Sequence, residues 1–170
     1  YDRMEQFFPK NKLIMTGNPV REDMVVTEGK KNDAANYFKL DAQKQTIVVV
    51  GGSQGARSIN LSMKANLNVL ADSGVQVVWQ CGKLFYEEAS KAVNELNSGT
   101  IRVYDFITRM DFAYALADVI ISRAGASTVS ELCIVAKPAI LVPLPTAAED
   151  HQTRNCQALV DKQAAVLIKD

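Results

Sequence analysis

The chain has 170 residues, 48% of them hydrophobic, which suits one globular domain with a full core and not a disordered polymer. Lys and Arg number 19 and Asp and Glu number 19, so the net charge is zero and a dominant nucleic-acid or anionic-membrane surface, which needs an excess of Lys and Arg, is disfavoured. Cys81, Cys133 and Cys156 stand far apart in no metal spacing beside a single histidine, His151, so they read as reduced cytosolic thiols and not as a zinc site, with Cys133 expected in the core.

No signal peptide is visible, and no apolar run is long enough to span a bilayer. The chain opens on Tyr1 and closes at Asp170 directly after an apolar run, and it reads as a domain cut from something longer. Residues 1–45 are mixed in character, with a turn at Gly17-Asn18-Pro19 and one helix expected over 28–38. They are expected to be a linker and entry segment, and 46–170 the domain proper.

From there strand-like and helix-like runs alternate. Strands are expected at 47–50, 75–80, 101–104, 119–122, 139–142 and 165–168. Between them lie helices at 58–71, with Ile59, Met63, Leu67 and Leu70 on one stripe, and at 84–96, 110–116, 128–135 and 152–161. The fourth of these stops before Lys137-Pro138, and two prolines hold a loop over 143–149. This alternation predicts an α/β fold, a doubly wound, Rossmann-like parallel sheet covered on both faces. Ligands of such sheets sit beyond the strand carboxyl ends, where strand order reverses.

Two glycine-hinged turns lie at that end. Gly51-Gly52-Ser53-Gln54-Gly55 follows Ile47-Val48-Val49-Val50, and Ser122-Arg123-Ala124-Gly125-Ala126-Ser127-Thr128 follows Val119-Ile120-Ile121. Each opens a helix, so backbone N–H groups and the positive end of a helix dipole converge on one spot, as a phosphate requires. Two such turns suggest a nucleotide diphosphate. The first lacks the Lys-Ser/Thr of a P-loop and is not Gly-x-Gly-x-x-Gly. Gln80-Cys81-Gly82 stands where an acidic residue would hold an NAD ribose, and Asp72 falls before that strand, so a nicotinamide cofactor is disfavoured. For single residues the chemistry stays open. Ser53 suits a phosphate contact or an N-cap, and Glu131 suits a vicinal diol or a capping box with Thr128.

Five motifs occur in one order: Gly17-Asn18-Pro19-Val20-Arg21, Gly51-Gly52-Ser53-Gln54-Gly55-Ala56, Phe106-Ile107 with Met110, Arg123-Ala124-Gly125-Ala126-Ser127-Thr128 with Ser130-Glu131, and Asp150-His151-Gln152. Together they resemble the carboxyl-terminal half of the MurG family, the undecaprenyl-diphospho-muramoylpentapeptide N-acetylglucosaminyltransferases of peptidoglycan synthesis. The resemblance implies one domain of a GT-B glycosyltransferase, the half that binds UDP-N-acetylglucosamine. The acceptor lipid I, most of the membrane contact and the catalytic base would belong to an amino-terminal half. It places the enzyme on the cytoplasmic face of the bacterial inner membrane as a peripheral protein serving cell wall biogenesis, cell division and cell shape. No metal and no cofactor are implied, and this half is expected to be inactive alone.

The same resemblance implies the site. Ser53 contacts the diphosphate, and Gly125, Ala126, Ser127 and Thr128 let the backbone approach diphosphate or sugar. Glu131 accepts from both ribose hydroxyls, and the backbone of Ile107 brackets the uracil. Arg21 contacts the donor near the interdomain hinge. Gln152, behind Asp150 as expected N-cap, meets the N-acetylglucosamine hydroxyls. The family often carries a serine where Ala124 stands. His151 reads as solvated and not as a base. Other readings are a stand-alone UDP-sugar-binding subunit needing a membrane partner, another UDP-N-acetylglucosamine enzyme of this architecture such as an epimerase, or a domain for an unrelated phosphorylated ligand.

Overall fold

The computed structural model describes residues 5, 7–14, 16–52 and 54–170, with backbone alone at 23 and 25. Six parallel strands form one sheet: β1 (Thr46–Val50), β2 (Gln76–Gln80), β3 (Ile101–Tyr104), β4 (Val119–Ser122), β5 (Ala139–Leu141) and β6 (Ala165–Leu167), in the order β3-β2-β1-β4-β5-β6. Strand order therefore reverses between β1 and β4, and their carboxyl ends are in register, Val50 opposite Ser122. The doubly wound expectation holds.

The period-2 alternation of side chains splits the strands between two cores. Val48, Val78 and Ile120 face a layer built from α2 (Lys31–Phe38), α6 (Met110–Leu116), α7 (Ala126–Val135) and α8 (His151–Val160). Val49, Val77 and Trp79 face α3 (Arg57–Ala65), α4 (Leu67–Asp72) and α5 (Lys83–Leu96). A further short helix, α1 (Glu22–Val25), packs on α6 and α7 and had no clear sequence signal. No helix among the described residues is long and apolar enough to cross a membrane.

Three sequence expectations shift. The helix expected over 58–71 breaks at Asn66, whose backbone is non-helical (φ −111°, ψ 16°) and whose side-chain amide donates to the Ser62 carbonyl at 2.8 Å. An asparagine offering the backbone a local alternative is the physical reason. The predicted stripe survives the break, with Ile59, Met63 and Leu67 buried. The helix expected over 28–38 begins only at Lys31. Cys133, expected in the core, is exposed, while Cys81 and Cys156 are buried. In α7 the core is met by Leu132 and Val135, and the all-apolar run around Cys133 gave no phase from which to tell the two faces apart.

Helix α2 is fixed to α6 by packing and by charge. Ala34, Ala35 and Phe38 enter the core. Just before α2, the Lys30 ammonium lies 2.9 Å from Asp111 at the start of α6, and the Arg109 guanidinium grips the same carboxylate through Nε and Nη2 at 2.8 Å each. Arg109 also lies over the Phe112 ring, 3.5 Å from its centroid. The Asp111 side chain is only 7% exposed, and its two cations hold it well below the usual carboxylate range. A depressed folded-state value stabilises the fold at pH above the unfolded value of about 4 and loses that contribution as pH falls through and below it. The wild-type thermal midpoint is therefore expected to fall on acidification from about pH 5 to about pH 3 more steeply than that of Asp111→Asn, which starts lower at neutral pH. Parallel curves in scanning calorimetry would show that the cluster contributes nothing.

Candidate functional site

The first turn leaves β1 and enters α3 at the switch point. Its N-cap position is Ala56, with no side-chain cap among the described residues. Ser53 lies outside the described residues. Gly55 and Gly82 make this turn possible. Gly55 has φ +80°, and a Cβ there would lie 2.2 Å from the Cys81 carbonyl oxygen; a Cβ on Gly82 would lie 2.5 Å from the Gly55 nitrogen. Asn60, 2% exposed, locks the pair from below. It donates to the Cys81 carbonyl at 2.8 Å and accepts from the Trp79 indole at 3.1 Å.

The second turn leaves β4 and enters α7. The N-cap is Gly125, again with no side-chain cap, and its φ of −64° is open to any residue. A Cβ on Gly125 would meet only the Thr128 hydroxyl, at 3.9 Å, so glycine here leaves open space in front of the helix end. The helix starts at Ala126, two residues before the expected Thr128. Thr128 is thus inside the first turn, and the capping-box alternative for Glu131 fails. Glu131 Oε2 instead accepts from the Tyr114 hydroxyl of α6 at 2.5 Å. Burial and the Glu131 carboxylate raise the Tyr114 phenol far above its ordinary range, so it stays a donor.

The remaining candidates lie on the segment before α1, on the loop after β3 and at the start of α8. Asn18 donates to the Ser130 hydroxyl at 2.9 Å and to the Ala126 carbonyl at 3.4 Å, which ties the Gly17–Arg21 segment to the start of α7. Arg21, exposed, is the N-cap of α1, packed on α6 and α7. Ile107 is buried, and its N–H donates at 2.8 Å to the side-chain carbonyl of Gln80, itself 3% exposed. The Ile107 N–H is thereby occupied, while Phe106 is 52% exposed.

Gln152 lies at the start of α8 as expected, with Asp150 as N-cap. Asp150 does not cap a backbone N–H; its carboxylate accepts from the Thr153 hydroxyl at 2.6 Å. Gln152 Oε1 accepts from Leu144 N at 3.0 Å and so anchors the proline-held loop. The loop enters α8 through Glu149 and Asp150, both left-handed (φ 52° and 53°), a strain of about 1–2 kcal/mol per residue. His151 is exposed, its Nδ1 2.7 Å from the Ala148 carbonyl oxygen.

Arg123 joins this loop to the first turn. It donates to the Val142 and Pro143 carbonyls at 3.1 and 3.2 Å and to the Ser58 hydroxyl in the first turn of α3 at 2.9 Å, and its guanidinium pairs with Asp170 at 2.9 Å. An open groove of about 640 Å³ runs past Gly55, Ala56, Ser58, Arg123 and Leu144. A second of about 610 Å³ runs past Gly17, Asn18, Ala126 and Arg154.

Sequence reasoning missed Tyr114, Gln80 and Asn60, and gave Arg123 no role of its own. Tyr114 hides in an apolar helix that reads as core. Asn60 was the one polar residue on the buried side of α3, which is a usable signal: a polar group there must find partners.

The family model described as glycosyltransferase family 28 C-terminal domain matches residues 46–170. The chain is 52% identical over 170 residues to the UDP-N-acetylglucosamine--N-acetylmuramyl-(pentapeptide) pyrophosphoryl-undecaprenol N-acetylglucosamine transferase of Flavobacterium psychrophilum, covering all of this chain and 46% of that protein. The transferase of the same description from Cytophaga hutchinsonii is 54% identical, with 45% of it covered. The chain thus spans about half the length of the curated relatives it matches. Among solved structures, MurG of Acinetobacter baumannii superposes with a TM-score of 0.70 at 32% identity, over 89% of this chain and 44% of that one. The C-terminal CMP-Kdo binding domain of WaaA from the same organism, at 14% identity and TM-score 0.60, shares the fold.

Proposed function

The chain belongs to the glycosyltransferase family 28 C-terminal domain family, and from that membership we propose that it is the donor-binding half of an inverting N-acetylglucosaminyltransferase. Its ligand is UDP-N-acetylglucosamine, and the whole enzyme moves the sugar to lipid I to make lipid II. The observation that supports this reading is that α3 and α7 follow the neighbouring strands β1 and β4, whose carboxyl ends are in register at the point where strand order reverses, with Glu131 in the second turn of α7.

The diphosphate lies across the two helix ends, met by N–H groups of both first turns, by Ser53 and by the Gly125-Ala126-Ser127-Thr128 backbone. Glu131 takes the two ribose hydroxyls, the Ile107 carbonyl faces the uracil, Arg21 approaches from the hinge side, and the Gln152 amide nitrogen is left to meet the sugar. In the transfer an acceptor hydroxyl oxygen bonds to the anomeric carbon from the face opposite UDP. The carbon–oxygen bond to UDP breaks, and configuration inverts. The helix ends stabilise the charge that grows on the leaving diphosphate. The base, the lipid I surface and most membrane contact lie on an amino-terminal domain, which residues 1–45 enter from. The enzyme is peripheral on the cytoplasmic membrane face and serves wall growth in cell division and cell shape, and the half described here is inactive alone.

Calorimetric titration of the folded chain with UDP-N-acetylglucosamine, with UDP-N-acetylgalactosamine and ATP as controls, tests the proposal. Saturable binding that prefers the first ligand is expected. Equal or tighter binding of ATP, or no uptake of any UDP ligand, would overturn it.

A further inference from the structure

We propose that Tyr114 is a positioning residue that pre-sets the Glu131 carboxylate for a vicinal diol, so that part of the affinity for the ribose is stored in α6, away from the ligand. This rests on the ribose reading of Glu131 given above. The Tyr114 ring is held in the core at 2% exposure, on a short helix whose Met110, Ala113, Ala115 and Leu116 are also buried. Its hydroxyl has one outlet, the 2.5 Å bond to Glu131 Oε2. Glu131 is only partly buried, and a glutamate left to itself at such a site samples several rotamers. Ordering it on binding costs side-chain conformational entropy. With one oxygen held by a rigid donor, that ordering is complete before the ligand arrives.

The acceptor count fits. An ionised carboxylate has about four lone-pair sites, and the phenol takes one, which leaves enough for two hydroxyl donors. The phenol stays protonated across the working pH range because burial and the carboxylate both oppose its ionisation. The same device recurs at the other edge of the proposed nucleoside site, where the buried Gln80 side chain fixes the Ile107 N–H from behind.

The test is a ligand cycle: UDP and 2′,3′-dideoxy-UDP titrated by calorimetry into wild type, Tyr114→Phe and Glu131→Gln. Phenylalanine fills the same core volume, so the thermal midpoint of Tyr114→Phe should stay close to wild type. Wild type is expected to bind UDP more tightly than the dideoxy compound. Tyr114→Phe is expected to bind UDP about fivefold more weakly while binding dideoxy-UDP as wild type does. An equal loss for both ligands would mean that Tyr114 acts on the fold and not on the diol, and would overturn the proposal, as would a Tyr114→Phe variant that binds UDP like wild type. Should wild type itself fail to distinguish the two ligands, the ribose reading of Glu131 falls, and the positioning role with it.

Discussion

Glu131→Gln is expected to weaken binding of UDP-N-acetylglucosamine about 30-fold while leaving the fold nearly as stable as wild type. The amide keeps one carbonyl oxygen, enough to accept from Tyr114, so no buried hydroxyl is orphaned. What is lost is the charge and the second accepting oxygen, because the amide nitrogen can only donate to the ribose. Hydrogen bonds to an ionised acceptor contribute about 1 kcal/mol more each than neutral ones, and two such bonds to a ribose amount to about 2 kcal/mol. Glu131→Ala goes further, because the Tyr114 hydroxyl, 2% exposed as a residue, then has no acceptor, at a cost of about 1–3 kcal/mol in stability. Calorimetry for affinity and thermal denaturation for stability separate the two effects. Unchanged affinity in Glu131→Gln would remove Glu131 from the donor site.

The largest loss of stability is expected at Gly55. Alanine there would hold a side chain at φ +80° and drive its Cβ to 2.2 Å from the Cys81 carbonyl oxygen and 3.1 Å from the Asn60 amide nitrogen. Cys81 is tied to Asn60, and Asn60 to Trp79, so the neighbours that would have to yield are themselves buried and bonded. A destabilisation of about 4 kcal/mol or more follows, at the extreme of single substitutions, and about 10 °C in thermal midpoint for a domain of this size. Gly52 is the internal control. Its φ is +76° but nothing lies within 4 Å of a Cβ, so Gly52→Ala pays backbone strain alone, about 1–2 kcal/mol. Equal effects at the two positions would show that the close approach of Gly55 to the Cys81 carbonyl does not matter.

The strands were legible because buried parallel strands are written as unbroken β-branched runs, Ile47-Val48-Val49-Val50 being the clearest. Their parallel arrangement followed from the alternation with helices, whereas the order β3-β2-β1-β4-β5-β6 was not read from the sequence. Helix starts were less legible, and one of them mattered. The sequence Thr128-Val129-Ser130-Glu131 offers a capping box to any reader who starts the helix at Thr128. Starting it at Ala126 rotates Glu131 out of that role and towards Tyr114. Whether one residue caps or binds was therefore a question of helix phase, which local propensity does not set. Partners across elements were not legible at all. Gln80 to Ile107, Tyr114 to Glu131 and Arg123 to Ser58 join residues 27, 17 and 65 positions apart, and nothing in their own segments points to the contact.

In the proposed complex a nucleoside diphosphate sugar lies across the ends of α3 and α7 with its ribose on Glu131. A crystal structure of the chain grown with UDP-N-acetylglucosamine tests it most directly. The diphosphate is expected against the first-turn N–H groups of both helices, the two ribose hydroxyls on Glu131 with its bond to Tyr114 kept, and the uracil at the Ile107 carbonyl. A ligand seated elsewhere, for instance in the groove between Gly17 and Arg154, with Glu131 untouched, would contradict it.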